Sequence, residues 1–116
     1  MIYKELPADG IPVTQASDIR SSDDIILNAD VVVVGSGTGG AVIAHELAVA
    51  GKSVIILEAG RYVPSSQFTE DMAWALENLY QDVGTQTNTI GDTVVLQGRC
   101  VGGSSVVSAT IAARAP

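Results

Sequence analysis

Val31-Val32-Val33-Val34 runs directly into Gly35-Ser36-Gly37-Thr38-Gly39-Gly40, and this juncture constrains the fold more than any other feature of the 116 residues. Four consecutive β-branched residues with no polar alternation predict a strand covered on both faces, as in parallel sheets. Past the glycines the pattern turns helical to about Ala50. Ile43, Ala44, Leu47 and Ala48 recur at helical spacing, His45 and Glu46 lie off that face, and Gly51 is a ready stop. Ser53-Val54-Ile55-Ile56-Leu57 predicts a second buried strand, ending at Glu58. Residues 29–57 have the size of one βαβ unit, whose right-handed crossover makes its strands parallel. The fold class is α/β, the opening of a doubly wound, Rossmann-like domain.

Each part of the glycine loop has a physical use. Gly35 permits a tight turn, Gly37 lets the main chain approach a pyrophosphate, and Gly40 lets the helix pack closely on the strand. Ser36, Thr38 and Gly39 complete a loop whose free N–H groups at the helix start face an anion. Glu58 lies 23 residues beyond Gly35, where a carboxylate can accept hydrogen bonds from both ribose hydroxyls and repels a 2′-phosphate. The plainer alternative is a glycine-rich turn with a surface glutamate. On these residues alone, nicotinamide and flavin dinucleotides both stay open.

Composition removes other classes. The net charge is −7, with six acids and two bases in residues 1–30. Such a chain has no general pull toward nucleic acid. With 47% hydrophobic and 16% charged residues it builds a core, yet no apolar run approaches the ~18 residues of a membrane helix. No basic-then-apolar leader opens it, so a cytoplasmic location is expected. One cysteine, Cys100, leaves no internal disulfide and no multi-cysteine metal site.

Along the chain, residues 1–28 read as an irregular, solvated lead-in, punctuated by Pro7, Gly10 and Pro12, with a turn at Ser21-Ser22-Asp23-Asp24 and a short strand at Ile25-Ile26-Leu27. Thr69 is the expected N-cap of a helix whose apolar face is Met72, Ala73, Leu76, Leu79 and Tyr80. Residues 82–92 form a polar loop and residues 93–97 a strand. Ser104 then caps a small-residue helix through about Ala113.

Between those last two elements stands Gly98-Arg99-Cys100-Val101-Gly102-Gly103-Ser104-Ser105, a turn that exposes main chain, offers hydroxyls and carries a cation suited to phosphate at Arg99. By itself it is equally an ordinary loop into a capped helix. Taken with residues 31–40 and with Val54-Ile55-Ile56-Leu57-Glu58-Ala59-Gly60, it resembles the glucose–methanol–choline (GMC) family of flavin oxidoreductases. The likeness is strongest to the bacterial dehydrogenases acting on alcohols and sterols, and covers residues 29–116, an amino-terminal part of an FAD-binding domain. It implies that the first loop holds the FAD pyrophosphate, that Glu58 and Ala59 meet the adenosine ribose, and that Gly102, Gly103, Ser104 and Ser105 run on toward the flavin. Ser108 stands where the family usually has asparagine, and this region has none of the histidines to which some members attach flavin, so the FAD is expected to be non-covalent.

The resemblance also implies an alcohol as the substrate of the intact enzyme. The family's catalytic histidine and substrate-binding sheet lie beyond these residues, so the chain is expected to supply cofactor recognition without the chemistry. The remaining alternatives are the start of an NAD-dependent dehydrogenase and a free-standing nucleotide-binding module. His45, the single histidine, reads as a solvated helix residue, Cys100 as a small buried one, and Trp74 and Tyr80 as packing residues.

Overall fold

A computed structural model describes residues 13–19 and 24–108. The βαβ unit is present: β1 (Val31–Val34), α1 (Thr38–Val49) and β2 (Val54–Leu57), the strands parallel and in register from Val31 opposite Val54 to Val34 opposite Leu57. The Gly35 N–H extends the ladder to Leu57 O at 2.7 Å. At the other end Asp30 and Ser53 lock the two chains together. The Asp30 carboxylate accepts from the Ser53 N–H (2.8 Å) and hydroxyl (2.9 Å), and the Asp30 N–H donates to Ser53 Oγ at 2.9 Å. α1 ends as the glycine demands. Gly51 sits at φ +81°, its N–H meets Ala48 O, and the Lys52 N–H meets Leu47 O, satisfying two terminal carbonyls.

Only one face of the sheet is covered among the described residues. Val31 and Val33 are half-buried on β1, whereas Val32 and Val34 are 53% and 84% exposed. The expectation of a strand covered on both faces is therefore corrected. The helix that packs on this sheet is α1, and one helix covers one face.

A second cluster is built from later residues. Val63, Leu79 and Cys100 are buried, with Trp74, Ala75, Tyr80, Val106 and Val107 packed on them. Its helix, α2 (Met72–Leu79), is capped by Asp71, whose carboxylate accepts from the Ala73 N–H at 2.9 Å and the Trp74 N–H at 3.4 Å. Thr69 is not the cap. Its hydroxyl instead accepts from the Asp71 N–H at 3.2 Å, leaving the helix terminus to a carboxylate that also suits the dipole. The buried face is turned from the expected one. Trp74, Ala75, Leu76 and Leu79 point inward, while Met72 is 66% exposed and Ala73 lies open. Trp74 and Tyr80 thus pack, as their placement on an amphipathic helix implied.

Further expectations change. Ile25-Ile26-Leu27 forms no strand and is 48%, 84% and 65% exposed, and among the described residues no segment pairs with it. Residues 93–97 are no regular strand either. They are held by an antiparallel bridge from Val94 to Thr87 and by single main-chain bonds, from the Val95 N–H to Gln86 O, the Asn88 N–H to Thr93 O and the Gln81 N–H to Gln97 O. The loop before them is tighter than its polarity suggests, with Asp82 and Val83 in the left-handed region at φ 49° and 55°. Finally, α3 (Ser104–Val107) is capped at Gly103, and Ser104 is its first residue. The continuation expected to Ala113, the first three residues of the turn expected at Ser21-Ser22-Asp23-Asp24 and the punctuation at residues 7–12 lie outside the described residues. Among the described residues, no helix is long and apolar enough to cross a membrane.

Candidate nucleotide-binding site

The loop between β1 and α1 has one glycine that must be small and others that border open space. A Cβ on Gly40 would overlap the Gly35 carbonyl oxygen and press on Val33 Cγ1 at 3.3 Å, so this glycine seats α1 on β1. At Gly37 and Gly39 a Cβ would meet nothing within 4 Å. Gly37 is the N-cap of α1 and has no side chain to close the helix start. The first N–H groups of α1 therefore face open space with the positive end of the helix dipole behind them. On the other flank of this loop, a Cβ on Gly103 would stand 3.2 Å from Gly37 Cα. The fold brings the two glycine blocks together.

Ser36 is what holds them there. It is 6% exposed, its N–H and hydroxyl both donate to Glu58 Oε2 (2.8 and 2.7 Å), and its Oγ accepts from the Gly102 N–H at 2.9 Å. Glu58 Oε1 accepts from the Gly60 N–H at 2.8 Å. One carboxylate thus ties the loop after β1 to the turn after β2, and one hydroxyl passes the link on to the second glycine block. A Cβ on Gly60 would overlap the main chain of Arg99 and Cys100, which shows how closely that block is seated.

Burial pushes the Glu58 carboxyl up, but the Ser36 and Gly60 N–H groups, the Ser36 hydroxyl and the Ala59 N–H outweigh it and hold the group below the usual carboxylate range. The sign follows from linkage. A depressed value in the folded state gives stability that is fully present above the unfolded value, ordinarily 4.5, and is lost as pH falls through the lower folded one. The melting temperature of the native chain should therefore exceed that of Glu58→Gln at neutral pH. The difference should shrink as pH is lowered through and below 4.5, because a protonated glutamate resembles glutamine. A gap that stays constant over that range would show that the charge contributes nothing.

Beside Glu58 lies a cavity of about 630 Å³. Its walls include Ser36, Glu58 and Ala59, as expected, and also Arg61, Tyr62, Val101 and residues 13–17, which sequence reasoning missed. Arg61 and Tyr62 were legible in principle, because they directly follow the Glu58-Ala59-Gly60 block. The lead-in residues carry no motif, and only the folded chain places them. Their closeness revises the picture of a purely solvated lead-in, since Val13, Gln15 and Ile19 are half-buried.

Other expected site residues are placed differently. Arg99 has an exposed side chain and is absent from the cavity walls; its N–H donates to Leu79 O at 2.7 Å. Ser104 Oγ accepts from the Gly98 N–H at 3.0 Å, Ser105 Oγ donates to Gly102 O at 2.6 Å, and Ser108 Oγ donates to Ser105 O at 3.1 Å. These hydroxyls brace the turn in this state. Cys100 is 1% exposed, and burial, then the negative charge of Glu58, push its thiol up against the smaller opposing pull of its bond to Gly103. It is a packing residue. His45 is turned to solvent beside Glu46, at 3.5 Å, with 72% of its side chain exposed.

This geometry meets its counterpart in known proteins. A family described as an FAD binding domain matches residues 30–97, the glycine loop, Glu58 and α2 included. The chain belongs to this FAD-binding domain family. A long-chain-alcohol oxidase of Arabidopsis thaliana is 39% identical over 94 residues, covering 81% of the chain and 13% of its own length. A GMC-type oxidoreductase of Sinorhizobium fredii is 40% identical over 96 residues, covering 81% and 19%. A second Arabidopsis long-chain-alcohol oxidase is 34% identical over 122 residues, covering 99% and 16%. The resemblance carried by the three sequence blocks is thus borne out, and the flavin reading prevails over the nicotinamide one. The chain spans less than a fifth of the length of these relatives.

FAD suits what this FAD-binding domain offers. The start of α1 has no side-chain cap, and the space beside Gly37 is open, which leaves room for a phosphate group there. The adjoining cavity has the size of a small-molecule site, about 300–1,000 Å³, and carries a carboxylate at one wall.

Proposed function

We propose that this chain holds the ADP half of FAD for an enzyme that oxidises an alcohol. The observation that carries this is the seating of Gly103 against Gly37 beside an uncapped helix start, with Ser36 and Glu58 fixing both. Support for the alcohol comes from the relatives named long-chain-alcohol oxidases. When bound, the flavin supplies a two-electron acceptor for the hydride of a carbinol carbon. The chain's own residues bind and orient. The N–H groups of the 35–40 loop face the pyrophosphate, the cavity beside Glu58 takes the adenosine, and the 102–105 turn leads away from it.

Glu58→Gln tests this reading. Glutamine keeps one acceptor oxygen but turns an NH₂ toward donors that the second carboxylate oxygen now serves. Loss of a charge-assisted bond costs about 1.5–3 kcal/mol, or roughly 10- to 100-fold in FAD affinity. Flavin titration of the full chain measures it, with circular dichroism to confirm that the variant is folded. Unchanged FAD affinity in a folded Glu58→Gln would remove this carboxylate from the ribose site.

A further inference from the structure

We propose that residues 13–17, upstream of the βαβ unit and outside the span that the FAD-binding family matches, wall off the nucleoside end of the cofactor site and limit the escape of its adenosine half. This rests on the FAD reading of the cavity and adds an element to it. The strap supplies Val13, Gln15 and Ala16 to one side of the cavity, while Glu58, Ala59 and Val101 belong to the elements around the glycine blocks.

Three observations support it. First, the strap has its own bonding. It turns through a short 3₁₀ helix, Ala16–Asp18, in which the Asp18 N–H donates to Gln15 O (2.9 Å), the Ile19 N–H to Ala16 O (3.2 Å), and the Gln15 N–H to Asp18 Oδ2 (3.1 Å). Its shape is set before a ligand arrives, so little ordering cost falls on binding. Second, its placement is selective. Ile25-Ile26-Leu27 stay exposed, while the strap lies at a cavity that Val54 and Ile56 of β2 also line. Third, the charges divide the site by ligand part. The cavity carries Glu58 and Arg61, whose opposite charges offset one another, whereas the open N–H groups at the start of α1 present positive charge alone. The phosphates are drawn to α1, which leaves the uncharged base and ribose for the space under the strap.

A wall of this kind can be blocked without touching the phosphate cradle. On the full chain, Ala16→Trp should fill the cavity and weaken both ADP and FAD by about tenfold or more in equilibrium titration. Hydrogen exchange on the unsubstituted chain gives a second readout that needs no variant to fold. ADP should slow exchange at the Asp18 and Ile19 amides. Gly37→Val separates the two readings. If that variant still binds ADP, the glycine-loop site itself fails. If Gly37→Val loses ADP while Ala16→Trp binds it normally, or if the strap amides exchange unchanged under saturating ADP, the strap is no part of the site and the proposal is overturned.

Discussion

Gly37→Val is expected to abolish FAD binding and leave the fold standing. The residue sits at φ −66°, ψ −173°, a conformation open to any L-amino acid, and a Cβ there would touch nothing within 4 Å. The folded chain therefore has no objection to a side chain at this position. The ligand does, because that open space is where the main chain must approach the pyrophosphate, and an isopropyl group would stand between the phosphate oxygens and the first N–H groups of α1. Losing several main-chain bonds to phosphate, at about 1.5–3 kcal/mol each for charged partners, exceeds what a folded site could recover by adjustment. The variant should purify colourless, with an unchanged far-UV circular dichroism spectrum and a melting temperature that excess FAD no longer raises. A yellow Gly37→Val protein would show that this loop does not cradle the phosphates.

Gly40→Ala, three residues along, should have the opposite profile. The added methyl group would overlap the Gly35 carbonyl oxygen and crowd Val33 Cγ1 at 3.3 Å. Neither neighbour can yield easily. The Gly35 N–H is already bonded to Leu57 O as the last rung of the β1–β2 ladder, and Val33 lies within β1. Relief requires α1 to lift off the sheet. Overpacking of this severity belongs at or above the top of the usual ~1–3 kcal/mol range, which lowers the melting temperature of a small domain by roughly 10–20 °C. Thermal denaturation followed at 222 nm on the helix signal would register the loss directly, without FAD. A melting temperature within a few degrees of the parent would mean that α1 is not seated on β1 through this glycine. Set together, the two variants separate binding from folding within one loop: Gly37 is small for the ligand, Gly40 for the helix.

The elements legible in the sequence were those whose signal is local. The unbroken run Val31–Val34, the stop at Gly51 and the apolar run of β2 place both strands and the end of α1 within a residue of their observed bounds, whereas α1 begins at Thr38, inside the glycine run rather than past it. The sequence points to Thr69 as the cap of α2, yet in the folded backbone it is the Asp71 carboxylate that reaches the N–H groups. Ile25-Ile26-Leu27 and residues 93–97 have strand composition and are not regular strands. A strand needs a partner's ladder as well as its own propensity, and among the described residues neither segment has more than an isolated bridge.

The site divides along the same line. That a dinucleotide loop exists, and that Glu58 belongs to it, followed from residue types at a fixed spacing, because steric freedom at glycine and charge at a carboxylate are properties of single residues. That Ser36 bonds Glu58 across 22 positions and Gly102 across 66 did not follow. Nor did the withdrawal of the Arg99 side chain from the cavity or the arrival of residues 13–17 at its wall. Such contacts depend on how β2 and the second glycine block come to lie beside β1. That is decided when the whole chain minimises exposed apolar surface and satisfies its buried polar groups together, and tertiary structure alone records the result.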